Sequence, residues 1–448
     1  MTTSTASTEP IPAPTATRPP ASTAEEWLAR MTTEEKVGQL MIVGFAGPRL
    51  TPELGDVIRQ LHVGGVIVFL INGNIETPEQ VATLTRDLQD VARADGAPGL
   101  FMSVDQEGGR VSRLRETTGF SETPGAMALG ATGDPENARR AAQLLAREML
   151  AVGLNVDFAP VLDVNNNPAN PVIGVRSFGS DPESVAEFGV AFLEGLQSEG
   201  VLAFGKHFPG HGDTDVDSHV ALPTVLHDRA RLDAVEFMPF KAAIAAKVAG
   251  IMSAHVTFPA IDPSGMPATL SRPVLTGLLR GDLGFNGLVV TDSLEMGALR
   301  NSLGLSPAEA AATAFAAGAD LLLFNQGHAD HRAAHALIVQ QVTTGAIPMA
   351  RLDDAVVRVL RAKEHFGLLA PLSPDPATAA DSVFTPEHRA LADALAAQSI
   401  TLLRDDAHLI PLSAEAHPFV FEIPAMAGLG ELLGETAMSI GEQPTHAE

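Results

Sequence analysis

The sequence predicts an α/β protein built as a (β/α)8 barrel with a short C-terminal extension. Eight short apolar runs recur between residues 41 and 325, and stretches of helical composition separate most of them. Continuous apolar runs are typical of parallel strands that are buried on both faces. Eight strand–helix units in roughly 340 residues favour a closed barrel over an open, doubly wound sheet.

The predicted strands follow one another at near-regular spacing. They are residues 41–45, 66–70, 101–105, 156–160, 202–207, 251–255, 288–292 and 321–325. Three of the intervening segments predict long helices, namely residues 78–94, 135–153 and 231–250. Several predicted strands end in a polar residue, among them Asp105, Asp292 and Asn325. Because the active sites of such barrels lie at the carboxyl ends of the strands, we expect the functional side chains there.

By composition the chain divides into four parts. Residues 1–24, rich in Thr, Ser, Ala and Pro, predict a flexible arm, and residues 25–370 form the predicted barrel. Residues 371–384 read as a linker. Residues 385–448 predict a partial or truncated α/β domain with a strand at 399–403. A second strand of this part is predicted within residues 417–424.

Composition excludes several function classes. The chain has 29 Lys+Arg against 54 Asp+Glu, a net charge of −25, which argues against a nucleic-acid partner or an anionic membrane surface. It contains no Cys and no Tyr, so disulfides, thiolate metal sites and cysteine or tyrosine nucleophiles are excluded. No signal peptide and no apolar stretch of about 20 residues is seen, so we expect a cytoplasmic monomer without a membrane span.

The segments that resemble cofactor or metal motifs lack essential parts of those motifs. The segment from Gly200 to Lys206 has P-loop spacing, but its strand lies between the glycines and Pro209 follows. Residues 213–224 lack the glycine and the closing glutamate of a calcium loop. We therefore expect no cofactor and no metal. A metal held by the histidines and aspartates of residues 207–219 stays open as an alternative.

Four segments concentrate chemically useful residues near the ends of predicted strands. VDQEGGRVSRL (104–114) follows the third strand, and KHFPGHGDTDVDSH (206–219) follows the fifth. GLVVTDSLEMG (287–297) contains the seventh strand, and residues 161–182 after the fourth strand contribute Arg176. These four segments contain carboxylates, imidazoles and cations, the groups that acid–base catalysis needs.

These segments resemble the family 3 glycoside hydrolases, in particular their β-N-acetylhexosaminidase branch, over nearly all of residues 25–370. The KHFPGHGD motif with its DSH ending carries the resemblance, as does DQEGGRVSR paired with a downstream TD near LGFNG. A retaining glycosidase needs a nucleophilic carboxylate and an acid/base on opposite faces of the anomeric carbon. The resemblance implies that Asp292 is the nucleophile and that His219, oriented by Asp217, is the acid/base.

The resemblance also implies the sugar-binding residues. Asp105 is expected to accept hydrogen bonds from sugar hydroxyls, and four other residues are expected to donate them: Arg113, Arg176, Lys206 and His207. We expect Glu107 and Arg110 to stiffen the Gly108–Gly109 turn, and His255 to form a wall of the site. The glycines of residues 206–219 predict a mobile loop that brings the acid/base to the sugar. The converging basic residues predict a locally positive pocket.

The resemblance implies an exo-acting β-N-acetylglucosaminidase that releases terminal GlcNAc from cell-wall (peptidoglycan) fragments through a covalent glycosyl-aspartate. Three alternatives stay open. The first is a β-glucosidase or xylosidase of the same family. The second is a phosphorylase, because a histidine acid/base does not repel phosphate as a carboxylate would. The third is an inactive sugar-binding protein, which the presence of both Asp292 and His219 disfavours.

Overall fold

The computed structural model describes residues 23–325, 327–370, 373–406 and 408, and the backbone of residues 420–422 and 437–439. The chain forms two compact units, Met1–Ile400 and Thr401–Glu448. The first unit contains all eight predicted strands and the site described below. Of the second unit, the two short strands Val420–Glu422 and Ala437–Ser439 pair with each other in parallel.

Eight parallel strands form the sheet of the first unit. They are β1 Met41–Gly44, β2 Gly65–Ile67, β3 Phe101–Val104, β4 Val156–Asp157, β5 Leu202–Phe208, β6 Gly250–Ser253, β7 Leu288–Thr291 and β8 Leu322–Phe324. Each strand pairs with the next along the chain from β1 to β7, and β8 pairs with β1. A bridge between Val290 and Leu321 links β7 to the residue before β8 and closes the ring. The (β/α)8 barrel predicted from the sequence is confirmed.

The strands are apolar along their whole length because both of their faces are buried. Alternate side chains fill the barrel interior, where Ile42, Ile67, Val156, Phe158 and Phe204 belong to one apolar cluster. The intervening side chains pack between the sheet and the surrounding helices in a second, larger cluster. This double burial is the physical origin of the continuous apolar runs in the sequence.

The helices of the first unit surround the sheet. Their bounds are α1 Ala24–Arg30, α2 Thr33–Gly38, α3 Pro52–Leu61, α4 Pro78–Ala94, α5 Ala126–Ala131, α6 Pro135–Ala151, α7 Pro182–Ser198, α8 Arg229–Ala234, α9 Met238–Ala245, α10 Gly297–Leu303, α11 Pro307–Ala317, α12 His328–Thr343, α13 Met349–His365, α14 Pro376–Ala379 and α15 Pro386–Ser399. Many begin with a Thr, Ser or Asp cap followed by proline, for example Thr77–Pro78 before α4. The cap side chain accepts a free backbone N–H, and proline fits the first turn, where no donor is needed. None of the described helices has the length and apolar character that crossing a bilayer requires.

One predicted helix is interrupted. The sequence predicts a single helix over residues 231–250, whereas the structure has α8 and α9, with a break at residues 235–237. Pro239 lies in the first turn of α9. A proline is tolerated there but would clash in the middle of a continuous helix. The single-helix prediction is therefore wrong at this point.

The first unit extends past the predicted boundary at residue 370. The buried carboxylate of Glu148 on α6 accepts hydrogen bonds from His388 Nδ1 at 2.7 Å and from the backbone N–H of Phe384 at 2.8 Å. These bonds hold α15 against the barrel, so the segment predicted as a linker and the helix after it belong to the first unit. The predicted strand at 399–403 is wrong, because α15 ends at Ser399 and residues 400–403 have no strand pairing.

The predictions for the two ends of the chain can be compared with the structure only where residues are described. The predicted strand within residues 417–424 matches the strand Val420–Glu422. Residues 1–22 of the predicted arm, and most of residues 409–448, lie outside the described residues. Thr23 caps α1, in which Trp27 is buried and Glu25 pairs with Arg361 of α13 at 2.9 Å.

Lys363 on α13 is fully buried and has no carboxylate partner among the described residues. Its Nζ donates a hydrogen bond to Gln39 Oε1 at 2.8 Å and lies 5.0 Å from the centre of the Phe101 ring. Burial lowers the pKa of this ammonium group to about 7. Between about pH 7 and pH 10 the folded protein therefore favours the uncharged amine, whereas the unfolded chain keeps the amine charged.

Replacing Lys363 by methionine is expected to stabilise the protein at neutral pH, on the order of 2–4 kcal/mol, because folding no longer removes a proton or buries a charge. The gain should be constant below pH 7 and shrink as the pH rises to about 10, where the unfolded lysine also loses its proton. Urea denaturation between pH 6 and 10 measures it. Lys247→Met, at an exposed lysine, is the control and should show no such trend. A variant less stable than wild type at pH 7 would contradict the prediction.

Candidate active site

A cavity of about 380 Å³ opens at the carboxyl ends of the strands. Its volume suits a ligand about the size of one sugar ring. The predicted site residues that line it are Asp105, Arg113, Arg176, Lys206, His207, His219 and Asp292. Asp217, predicted to orient His219, lines an adjoining cavity of about 360 Å³ that shares His219 and Arg176 with the first. The structure thus brings the predicted residues of four separate strand ends together.

Lys206, near the end of β5, is at the centre of a buried ion-pair network. Its Nζ lies 2.9 Å from Asp105 Oδ1 and 2.7 Å from Glu107 Oε1. Arg176 binds both oxygens of Glu107, through Nη2 at 2.7 Å and Nε at 2.9 Å. Arg113 Nη2 lies 3.8 Å from the second oxygen of Asp105. A rigid set of donors and acceptors therefore covers one side of the cavity.

The role predicted for Glu107 is wrong. Its carboxylate does not brace the Gly108–Gly109 turn but points into the cavity, where Arg176 and Lys206 hold it. Burial alone would raise the pKa of Glu107, but the two cations outweigh it, so the pKa lies well below its usual range. The turn itself is held by backbone hydrogen bonds, from Glu107 N to Val111 O and from Gly109 N to Thr123 O.

The cavity is close to balanced in charge, with one more carboxylate than cations, rather than positive. Three cations line it, Arg113, Arg176 and Lys206. Four carboxylates line it as well, those of Asp105, Glu107, Asp292 and Glu295. The expectation of a locally positive pocket is therefore wrong. The basic residues do converge as predicted, but a desolvated cation needs a counter-charge, and the three cations share the carboxylates of Asp105 and Glu107.

His207 follows Lys206 across a cis peptide bond and points its Nε2 towards the cavity. Its Nδ1 lies 2.7 Å from Oδ2 of the fully buried Asp163, whose Oδ1 accepts the backbone N–H of His211 at 2.6 Å. Burial raises the pKa of Asp163, but its interaction with the imidazole of His207 outweighs burial and the pKa is lowered. Asp163 therefore fixes the ring of His207 and the start of the following loop. Sequence reasoning missed Asp163, although it lies three residues after the predicted fourth strand and within the segment 161–182 singled out above.

Asp292 directly follows β7. Its Oδ1 accepts the backbone N–H of Ser293 at 2.7 Å, which fixes the carboxylate at the strand end. Burial raises the pKa of Asp292, but the nearby imidazoles of His255 and His207 outweigh it, so the pKa lies below its ordinary value. An ionised, fixed carboxylate in a cavity of sugar size has the properties of a nucleophile.

His255 supports Asp292 from behind and is not part of the cavity wall, contrary to expectation. Its Nδ1 lies 2.9 Å from Thr269 Oγ1, and its Nε2 lies 2.9 Å from the carbonyl oxygen of Ser293. The cavity lining does not include it. Burial lowers the pKa of His255, and its contact with the Ser293 carbonyl holds the residue that hydrogen-bonds Asp292.

His219 and Asp217 form a pair on the loop that follows β5. His219 Nδ1 lies 2.8 Å from Asp217 Oδ1, and the same oxygen accepts the backbone N–H of His219 at 2.8 Å. Burial raises the pKa of Asp217, but these two hydrogen bonds outweigh it and lower the pKa. The side chain of His219 is 62% exposed, so its free Nε2 can exchange protons with solvent or ligand. This arrangement is that of an oriented acid/base.

The same loop is tied to the residues that follow Asp292. The carbonyl oxygen of His219 accepts the N–H of Gly297 at 3.2 Å, and that of Ser218 accepts the N–H of Ala298 at 3.2 Å. His211 joins the beginning of this loop to its end, because its Nε2 lies 2.9 Å from Ser218 Oγ. Burial lowers the pKa of His211 to about 4, so it is neutral at pH 7. Sequence reasoning weighed His211 only as a metal ligand and missed this bridging contact.

One group of side chains in the described ranges has the spacing of a cation site. Asp213, His227 and Glu236 place their ligand atoms within 4.8 Å of one another. Both oxygens of Glu236 already accept hydrogen bonds from Arg231 Nη1, each at 2.8 Å. His227 Nε2 contacts Asp213 directly. The group is therefore engaged within the protein and explains how the loop is anchored at residue 213.

Comparison with known proteins connects this geometry to a family. The model of the family described as "Glycosyl hydrolase family 3 N terminal domain" matches residues 32–362. Beta-hexosaminidase A of Pseudoalteromonas piscicida is 34% identical over 423 residues, which are 86% of this chain and 69% of that protein.

Two solved structures are similar along most of the chain. The family 3 β-N-acetylglucosaminidase of Paenibacillus sp. str. FPU-7 has a TM-score of 0.84 at 41% identity, covering 93% of this chain and 81% of that one. The structure titled "Beta-glucoside phosphorylase BglX bound to 2FGlc" has a TM-score of 0.82 at 26% identity, covering 94% and 78%.

Proposed function

Because this chain belongs to glycosyl hydrolase family 3, we propose that it is a retaining exo-β-N-acetylglucosaminidase that releases terminal GlcNAc from peptidoglycan fragments. One observation carries the proposal. The carboxylate of Asp292 and the Asp217–His219 pair meet at one cavity of about 380 Å³ that is already lined by fixed sugar-binding groups. A nucleophile and an acid/base facing one sugar site are what double displacement requires.

The first half-reaction follows from the contacts. With Oδ1 held by Ser293, Oδ2 of Asp292 attacks the anomeric carbon and forms the glycosyl ester. The bond from that carbon to the aglycone oxygen breaks, and the oxygen takes the proton of His219 Nε2. Asp217 holds Nδ1 and so leaves Nε2 to carry the reactive proton.

In the second half-reaction His219 Nε2 takes a proton from water, whose oxygen attacks the anomeric carbon. The ester bond to Asp292 breaks, the carboxylate is restored, and GlcNAc leaves with its original β configuration. The pKa of Asp292 favours its departure as an ion, because its lowered value makes the carboxylate a better leaving group.

The adjoining cavity supports the assignment of the aglycone. It lies beside Asp217 and His219 and combines the apolar side chains of Val111, Val172 and Val175 with the exposed cation Arg110. An aglycone that leaves past His219 would meet this surface first. A partly apolar sugar carrying a carboxylate or a peptide, as in muropeptides, matches it in chemistry.

The experiment that tests the function compares kcat/KM on an aryl N-acetylglucosaminide with that on the matching aryl glucoside. We expect a preference for the acetamido sugar of about a hundredfold or more, because a site built to bind an amide leaves polar groups unpaired without it. Equal rates on the two substrates would instead support the β-glucosidase alternative. Activity on neither substrate would support the alternative of an inactive sugar-binding protein.

Phosphorolysis is the second candidate, and the likeness to the β-glucoside phosphorylase structure favours it. A histidine acid/base does not repel an incoming phosphate. The excess of carboxylates in the cavity, four against three cations, favours water over an incoming phosphate as the acceptor. Running the same assay with and without phosphate decides between them, since only phosphorolysis forms the sugar 1-phosphate.

Replacing His219 by alanine is expected to slow substrates with poor leaving groups by about 10²–10⁴-fold, while activated aryl glycosides lose much less in their first step. The reason is that only poor leaving groups need the proton of Nε2. His227→Ala is the matched control: His227 is also a partly exposed histidine paired with a carboxylate, but it lies outside the cavity. An equal loss on both substrate classes would contradict the assignment of His219.

A further inference from the structure

We propose that Asp157 is a positioning residue for sugar binding, an uncharged carboxylic acid whose hydrogen bond fixes the segment that carries Asp105, Glu107 and Arg113. The inference rests on the proposed function, because these three residues are assigned to the sugar there. Asp157 is the last residue of β4 and lies next to Val104 of β3 and Ala203 of β5. It faces away from the barrel interior, since its neighbours Val156 and Phe158 fill that interior.

A side-chain hydrogen bond connects Asp157 to the sugar-binding segment. Its Oδ1 accepts the backbone N–H of Gln106 at 2.9 Å. Gln106 lies between Asp105 and Glu107, so this bond fixes the backbone from which both carboxylates extend. Asp157 is fully buried and Gln106 is 1% exposed, so water does not compete for the bond.

Gln106 passes this constraint on to Arg113. Its Oε1 accepts the backbone N–H of Arg113 at 2.8 Å and that of Leu114 at 3.0 Å. Its Nε2 donates to the carbonyl oxygen of Leu114 at 3.0 Å. Through Gln106, the buried carboxyl group of Asp157 thereby fixes the backbone on both sides of the loop that follows β3.

The surroundings of Asp157 favour its uncharged form. The charged groups that face it are Lys206, Asp105 and Glu107. Lys206 directs its Nζ to the two carboxylates and not to Asp157. In the described part of the chain Oδ2 of Asp157 has no hydrogen-bond partner.

A carboxylate charge on Asp157 would have no cation directly beside it. Lys206, Arg176 and Arg113 pair with Asp105 and Glu107, and in the described residues none of them forms an ion pair with Asp157. Burial accordingly raises the pKa of Asp157 well above its ordinary value. The uncharged acid keeps the hydrogen-bond acceptor that Gln106 needs without disturbing the charges that bind the sugar.

The test compares Asp157→Asn, which keeps the shape and the acceptor without a charge, with Asp157→Leu, which removes the acceptor. We expect Asp157→Asn to keep kcat/KM within about threefold. Asp157→Leu should raise KM about tenfold or more with a smaller change in kcat, because the binding residues shift while Asp292 and His219 are held by other segments. Asn155→Leu is the control: the buried side chain of Asn155, directly before β4, accepts the backbone N–H of Met102, and its loss should lower stability without raising KM.

A second measurement tests the protonation state and does not depend on activity. The unfolded chain releases the proton of Asp157 at about pH 4, whereas the folded protein retains it. Wild type should therefore lose stability relative to Asp157→Asn as the pH rises from about 4 to 7. The melting temperatures of the two proteins across this range report the difference.

Two results would overturn the proposal. One is that wild type gains stability over Asp157→Asn as the pH rises, which is the behaviour of an ionised carboxylate. The other is that Asp157→Asn loses as much affinity for the sugar as Asp157→Leu. If Asp157→Leu does not fold, the Asp157→Asn measurements decide alone. If wild type hydrolyses no GlcNAc glycoside, the proposed function fails, while the stability comparison still tests the uncharged state of Asp157.

Discussion

Asp292→Ala is expected to lower kcat by about 10³-fold or more on an aryl N-acetylglucosaminide, with the fold unchanged. The carboxylate follows β7, and among the described residues its side chain accepts one hydrogen bond, from the backbone of its neighbour Ser293, so its removal should leave the fold intact. Without it no glycosyl ester forms, and catalysis relies on the acid and the binding groups alone. Single-turnover kinetics and circular dichroism measure the two parts of this prediction.

Chemical rescue separates a nucleophile from a merely charged neighbour. In Asp292→Ala, azide should enter the vacated space, attack the anomeric carbon and give an α-glycosyl azide, which proton NMR identifies by its anomeric coupling. Glu295→Gln is the matched control, because Glu295 lines the same cavity three residues later. Glu295→Gln should lower kcat far less than Asp292→Ala does, and azide should not restore its activity. A full-activity Asp292→Ala variant, or a β-glycosyl azide product, would contradict the nucleophile assignment.

Much of the fold and part of the site follow from the sequence because they depend on local pattern. The eight strands were predictable because each is buried on both faces, which makes it apolar throughout. Asp105, Lys206 and Asp292 could be placed at one mouth because parallel strands of a barrel share a carboxyl edge. The resemblance added the roles of His219 and Asp217, for which composition and spacing alone offered no reason.

Contacts between distant segments were not predictable in the same way. Glu107 and Arg176 are 69 residues apart in the chain, and nothing local to either reveals that they pair. The buried residues Asp163 and His211 form the same kind of long-range contact. A desolvated charge finds its counter-charge through the tertiary fold, so the balanced cavity emerges only when the strand ends are brought together. The same holds for Glu148, which binds α15 across more than two hundred residues.

The overall charge of −25 does not describe the charge within the cavity. It does not repel an anionic sugar from the cavity by itself, because a Debye length at physiological salt is about 8 Å and screens the outer surface. Inside the cavity each cation has a carboxylate beside it, so sugar hydroxyls find both donors and acceptors. Such a site binds neutral, hydroxyl-rich ligands through hydrogen bonds rather than through net charge.

Glu107→Gln is expected to destabilise the protein by about 3–5 kcal/mol, because it leaves the buried cations Arg176 and Lys206 without one of their counter-charges. Lys206 is 2% exposed and Glu107 is 5% exposed, so solvent cannot compensate. Sugar binding should weaken in parallel, since both cations then lose a fixed position at the cavity wall. Urea denaturation at pH 7 and KM on the aryl glycoside measure the two effects.

The direction in which this stability difference changes with pH follows from the lowered pKa of Glu107. The pKa of Glu107 is lowered on folding, so the stability it contributes is fully present above its unfolded pKa of about 4.5 and declines as the pH falls below that value. The difference between wild type and Glu107→Gln should therefore be constant from about pH 5 to 8 and shrink in acid. Glu194→Gln is the control, because Glu194 pairs with Arg139 at 2.6 Å on the surface, where solvent screens the pair. Its loss should cost at most about 1 kcal/mol. Equal costs at the two positions would mean that the ion pairs of the cavity wall are screened as surface pairs are.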